Sequence, residues 1–173
     1  MTDVAGRFEE LAKLVPIPYP WDTREYIARV AEFRGRPIVL CPIDPDALSG
    51  TGCGTGSGLW IARAEDDVIM FGAETELHAD HIIAHEVGHM LLGHDTSPAD
   101  PDKPADQGED LPLATLMPSL SLDAIRSVLR RRDYGTDREI EAETFADMVM
   151  VAATLPKRTP SRLRSTFFRA RHR

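Results

Sequence analysis

Cysteine is almost missing from this 173-residue sequence. Cys41 and Cys53 do not share C-x-x-C spacing, which argues against a thiolate metal site or a disulfide staple and leaves free thiols as the expectation. Long apolar runs are missing too. None could cross a bilayer, and Met1-Thr2-Asp3 does not open the basic-then-apolar pattern of a secretory leader. A cytoplasmic chain with no membrane partner is therefore expected. The alternate glycines from Gly50 to Gly58 lack the Lys-Ser/Thr that completes a Walker loop, and no helix pattern follows them. They read as a flexible connection. There is no internal repeat and no evident helix-turn-helix. A chain of this length can bury the core of one domain without disulfides or a structural metal.

Acidic residues are absent from the C-terminal stretch. Residues 157–173 carry seven basic side chains and no acidic one, although the whole chain has a net charge of −8. The acidic body repels nucleic acid, so no direct nucleic-acid binding is expected. The basic tail reads as a solvated terminus, with an anionic partner, nucleic acid or the chain's own acidic body as alternatives.

The chemistry-bearing stretch is His85-Glu86-Val87-Gly88-His89. Two histidines four apart stack one turn above each other on a helix, so their ring nitrogens can converge on one cation. Glu86 points elsewhere but can reach a water beside that cation and accept its proton. The surrounding Ile82, Ile83, Val87, Met90, Leu91 and Leu92, with Gly93 as a stop, predict a helix over 79–92. The bland alternative is a buried helix with two incidental histidines.

Phe8, Leu11, Ala12 and Val15 predict an amphipathic helix over 4–14, ended by Pro16, Pro18 and Pro20. Asp22 and Glu25 form a capping-box pattern for a helix over 23–34, and Gly35 fits its C-terminal cap. Residues 38–41 read as a strand. Residues 59–63 and 68–72 flank Glu65-Asp66-Asp67 as an antiparallel hairpin, whose edge could lie beside the metal and accept an extended peptide. A mobile loop at about 95–118, a lid or simple disorder, precedes helices over 121–132 and 137–155. Thr159-Pro160 could open a short last helix. The expected architecture is α+β, a small antiparallel or mixed three-stranded sheet packed against a helical bundle. Residues 1–155 would form one domain and 156–173 a basic tail.

Catalytic zinc usually takes three protein ligands and leaves a position for water. The acidic cluster Glu139-Ile140-Glu141-Ala142-Glu143 is the best source of the third. Glu139 could instead close a capping box with Thr136, Glu141 could take the ligand role, and Glu141 and Glu143 could be solvated helix charges. His78, His81 and His94 read as partly exposed polar positions. Tyr134 is a candidate for stabilising an oxyanion.

With its H-E-x-x-H followed by Glu139, Ala142, Glu143, Phe145 and Ala146, the chain resembles the ImmA/IrrE metallopeptidases. These pair the motif with a helix of pattern Glu-x-x-(Ala/Cys)-(Asn/Asp)-x-Phe-Ala. The resemblance spans roughly the hairpin through the last long helix. It implies a zincin-like fold, with His85, His89 and Glu139 as Zn2+ ligands and Glu86 as catalytic base. Glu143 stands where the pattern has Asn or Asp, the residue that steadies a ligand histidine, and so departs from it in length. The family's Leu-Leu-x-Pro helix ending is altered as well, to Met150-Val151 with proline delayed to Pro156. The implied function is a zinc-dependent endopeptidase that cleaves a helix-turn-helix transcriptional repressor. The alternatives are a zinc-containing module that grips such a regulator without cutting it, and a hydrolase of small molecules.

Overall fold

A computed structural model describes residues 3–45, 58–94 and 136–155. Helix α1, Val4–Leu14, starts where the Asp3 carboxylate accepts the Gly6 N–H at 2.9 Å. Its apolar face joins the core, with Phe8 edge-on to Phe145 at 5.4 Å between centroids. Helix α2, Thr23–Arg34, is capped by Asp22, which accepts the Glu25 N–H at 2.9 Å, and stops at Gly35 with φ 70°. That left-handed conformation is inexpensive only for glycine. Tyr26, Ile27 and Val30 are the buried face of α2. The start of α2 is tied down by Asp80, which accepts from the Trp21 indole at 2.8 Å and from the Thr23 hydroxyl.

Three strands follow: β1, Ile38–Pro42, β2, Gly58–Ala62, and β3, Asp67–Phe71. Their order is β1-β3-β2, with β1 parallel and β2 antiparallel to β3. The sheet is therefore mixed, and β3, in its middle, buries Val68, Ile69 and Met70. Both hairpin strands begin one residue earlier than the hydrophobic pattern predicts. The turn explains this: Arg63 donates its backbone N–H to the Asp66 carbonyl at 2.9 Å and grips the Asp66 carboxylate with its guanidinium. Asp67 is thereby released into the strand, where its N–H donates to the Pro37 carbonyl at 2.9 Å.

Helix α3, Glu76–Leu92, begins about a turn before the predicted start because the Thr75 side chain accepts the His78 N–H at 3.2 Å. Every residue from Ile82 to Met90 is buried, so this helix runs through the core. Helix α4, Thr136–Thr154, lies against it and buries Ala142, Phe145, Ala146, Val149 and Ala153. The crossing is close at Gly88. A Cβ there would stand 3.1 Å from the Ala142 carbonyl oxygen and 3.2 Å from its Cα. The fold is thus α+β, with a small mixed sheet and four helices among the described residues. No helix among them is long and apolar enough to cross a membrane. The loop at about 95–118, the helix over 121–132, the basic tail, Cys53 and Tyr134 lie outside the described residues.

Candidate metal centre

The close crossing of α3 and α4 brings the acidic face of α4 up to the two motif histidines. His85 and His89 are 4% and 1% exposed, and their Nε2 atoms face each other at 3.1 Å. Glu139 reaches across from α4, placing Oε2 3.5 Å from His85 Nε2 and Oε1 3.5 Å from His89 Nε2. Donors around a tetrahedral zinc at ordinary bond lengths stand about 3.4 Å apart. The three groups fit that spacing, and their chemistry agrees. His85 Nδ1 lies 3.1 Å from Glu143 Oε2. An ionised carboxylate only accepts, so Nδ1 carries a hydrogen, and once the ring is neutral its Nε2 lone pair points inward. A lone pair, a second imidazole nitrogen and a carboxylate converging on one point are the donor set a divalent cation requires.

Glu86 lies beside this group, 2% exposed. Burial raises its pKa, against the pull of His85 and His89 and of the Trp60 backbone amide. Its Oε1 is buried with no hydrogen-bond partner among the described residues. The opening residue of β2 makes room for it, since a Cβ on Gly58 would come within 2.6 Å of that oxygen. Around His85, burial opposes the charged ring, but the hydrogen bond to Glu139 and the charges of Glu86, Glu139 and Glu143 outweigh it and raise the pKa.

The remaining candidates separate clearly. Glu141 does not face the cage; its Oε2 lies 3.2 Å from His94 Nε2 and 3.8 Å from an Arg7 nitrogen. Glu143 stands behind His85, its Oε2 on the ring's Nδ1. His81 is half-buried, 3.3 Å from Asp147 and 3.7 Å from Glu143, a more open grouping on the rim that also has ligand-type spacing. His78 is exposed. His94, expected to be partly exposed, is buried at 4%, with Nδ1 2.9 Å from His89 Nδ1. Burial lowers its pKa against the pull of Glu141. The signal for its position was Gly93. With φ 73° it reverses the chain, and the His94 N–H returns to the His89 carbonyl at 3.0 Å in a Schellman turn.

No family model, curated protein or solved structure matches this chain.

Proposed function

We propose that the chain is a zinc-dependent endopeptidase with a zincin-like fold, similar to the ImmA/IrrE metallopeptidases. The observation that carries this reading is the convergence of His85 Nε2, His89 Nε2 and the Glu139 carboxylate at 3.1 to 3.5 Å beside a buried glutamate. Those three side chains would hold the metal. Zinc bound there supplies Lewis acidity toward a peptide carbonyl and lowers the pKa of water toward about 7.

Glu86 moves the proton. Its carboxylate takes hydrogen from the attacking water and returns it to the departing amine, a role for which a pKa raised by burial suits it. Glu143 keeps His85 in the tautomer that presents Nε2. The substrate class, a helix-turn-helix repressor, comes from the motif resemblance. A binding module that only grips its partner has no use for a buried proton acceptor beside the metal.

The test is a cleavage assay with zinc-loaded protein and a helix-turn-helix repressor. Glu86→Gln should keep zinc and reduce fragment formation by about 10²-fold or more. Cleavage by that variant at the wild-type rate would refute the mechanism. A wild-type chain that binds zinc and repressor but yields no fragments would favour the non-cleaving module.

A further inference from the structure

We propose that His94 is a positioning residue for the metal centre, accepting the Nδ1–H of His89 while passing its own Nε2–H to Glu141, so that His89 holds the tautomer that ligates. This inference rests on the zinc reading above and assigns a role to a histidine outside the H-E-x-x-H motif.

Two contacts fix the direction of the relay. Glu141 Oε2 stands 3.2 Å from His94 Nε2, and an ionised carboxylate accepts, so Nε2 bears the hydrogen. A neutral His94 ring then has its lone pair on Nδ1, 2.9 Å from His89 Nδ1. Two lone pairs do not face each other at that distance, so His89 Nδ1 donates. The His89 Nε2 lone pair is consequently turned toward His85 and Glu139. The reverse arrangement is unfavourable at both ends: it puts a hydrogen on His89 Nε2 inside the cage, and it sets a His94 lone pair against the Glu141 carboxylate.

The two ligand histidines are thus backed differently. Glu143 supports His85 directly, whereas Glu141 supports His89 through a second imidazole. The relay is held at its far end by α1. Arg7 donates to the Leu92 carbonyl at 2.6 Å and lies 3.8 Å from Glu141, joining the end of α3 to the relay carboxylate. The His94 backbone is fixed as well, through the turn at Gly93 and an Arg138 hydrogen bond to its carbonyl at 3.3 Å.

The experiment compares zinc affinity, by competition with a chromogenic chelator, for wild type, His94→Phe and His94→Gln. It is paired with imidazole nitrogen NMR of the zinc-loaded wild type. Loss of a hydrogen bond behind a ligand histidine typically weakens metal binding by about 10- to 100-fold. His94→Phe, which keeps a ring but no acceptor, should show that loss. His94→Gln, which retains both an acceptor and a donor, should recover most of it, and the NMR should show His89 protonated on Nδ1. Equal zinc affinity in a folded His94→Phe, or a His89 ring protonated on Nε2 in the zinc form, overturns the relay and leaves the zinc reading intact. A wild type that binds no zinc overturns both. The NMR result stands even if His94→Phe does not fold.

Discussion

Two buried polar clusters in this molecule differ in one respect that separates scaffold from site. Around Asp67, fully buried on β3, donors meet acceptors: the carboxylate receives the Trp60 indole N–H at 3.0 Å and the Arg34 Nε–H at 3.0 Å, with Arg36 Nε 3.4 Å away. The Asp67 carboxylate is met by cationic and indole donors with no added ion, and Arg36 Nε alone makes no hydrogen bond among the described residues. Around His85 and His89 the balance is reversed once both rings are neutral, because two Nε2 atoms and a carboxylate then crowd one point as acceptors. A cluster with acceptors in excess is costly to bury and is relieved by a cation. Polar burial alone therefore marks no site; the donor–acceptor balance does.

The largest expected effect breaks the closed cluster. Asp67→Ala leaves two half-buried guanidinium groups and a buried indole N–H without their carboxylate and should cost about 3 kcal/mol, measured by urea unfolding, with or without zinc. In contrast, Glu139→Gln should leave the metal-free chain about as stable as wild type and remove its stabilisation by zinc. For wild type that gain should be about 2.7 kcal/mol at a hundredfold excess over the dissociation constant. If Glu139→Gln destabilises the metal-free chain as much as Asp67→Ala does, the contrast between the clusters fails.

A more local effect is expected at Gly58. An alanine Cβ there would stand 2.5 Å from Ile82 Cγ2 and 2.6 Å from Glu86 Oε1, so both side chains must shift. Gly58→Ala should lower turnover by about tenfold, within the range that a misplaced catalytic group costs, while zinc affinity is unchanged. A parallel loss of zinc would place the disturbance at the ligands instead.

The smallest effect concerns pH. In the metal-free fold, His85 and Glu86 both hold protons above their ordinary values of 6.5 and 4.5. Each therefore contributes stability below its unfolded pKa and loses it as pH rises through the raised folded value. Zinc must displace the His85 proton, so the zinc-induced rise in melting temperature should grow from pH 5.5 to pH 8. A rise independent of pH would mean that zinc binds elsewhere.

Much of the scaffold was legible because its signals are local. Asp22 with Gly35 bounded α2, and the proline run ended α1. The four-residue spacing of His85 and His89 fixed their common helical face. Glu139 was legible only as one of three acids in the cluster that could supply a third ligand. What escaped depends on contacts between distant segments. Asp67 read as one acid in a turn, and only Arg34 and Arg36, more than thirty residues earlier, make it a buried anchor. Thr75 lengthened α3 by a cap that the apolar pattern does not reveal.

The sequence by itself determined which side chains could ligate and which helices would carry them, because periodicity and capping act over a few residues. Only the tertiary structure decided how the three glutamates of α4 divide. Gly88 lets α3 and α4 approach, and that crossing sends Glu139 into the cage, Glu143 behind His85 and Glu141 toward His94. Spacing along one helix sets a direction around its axis. A partner's position is set by packing.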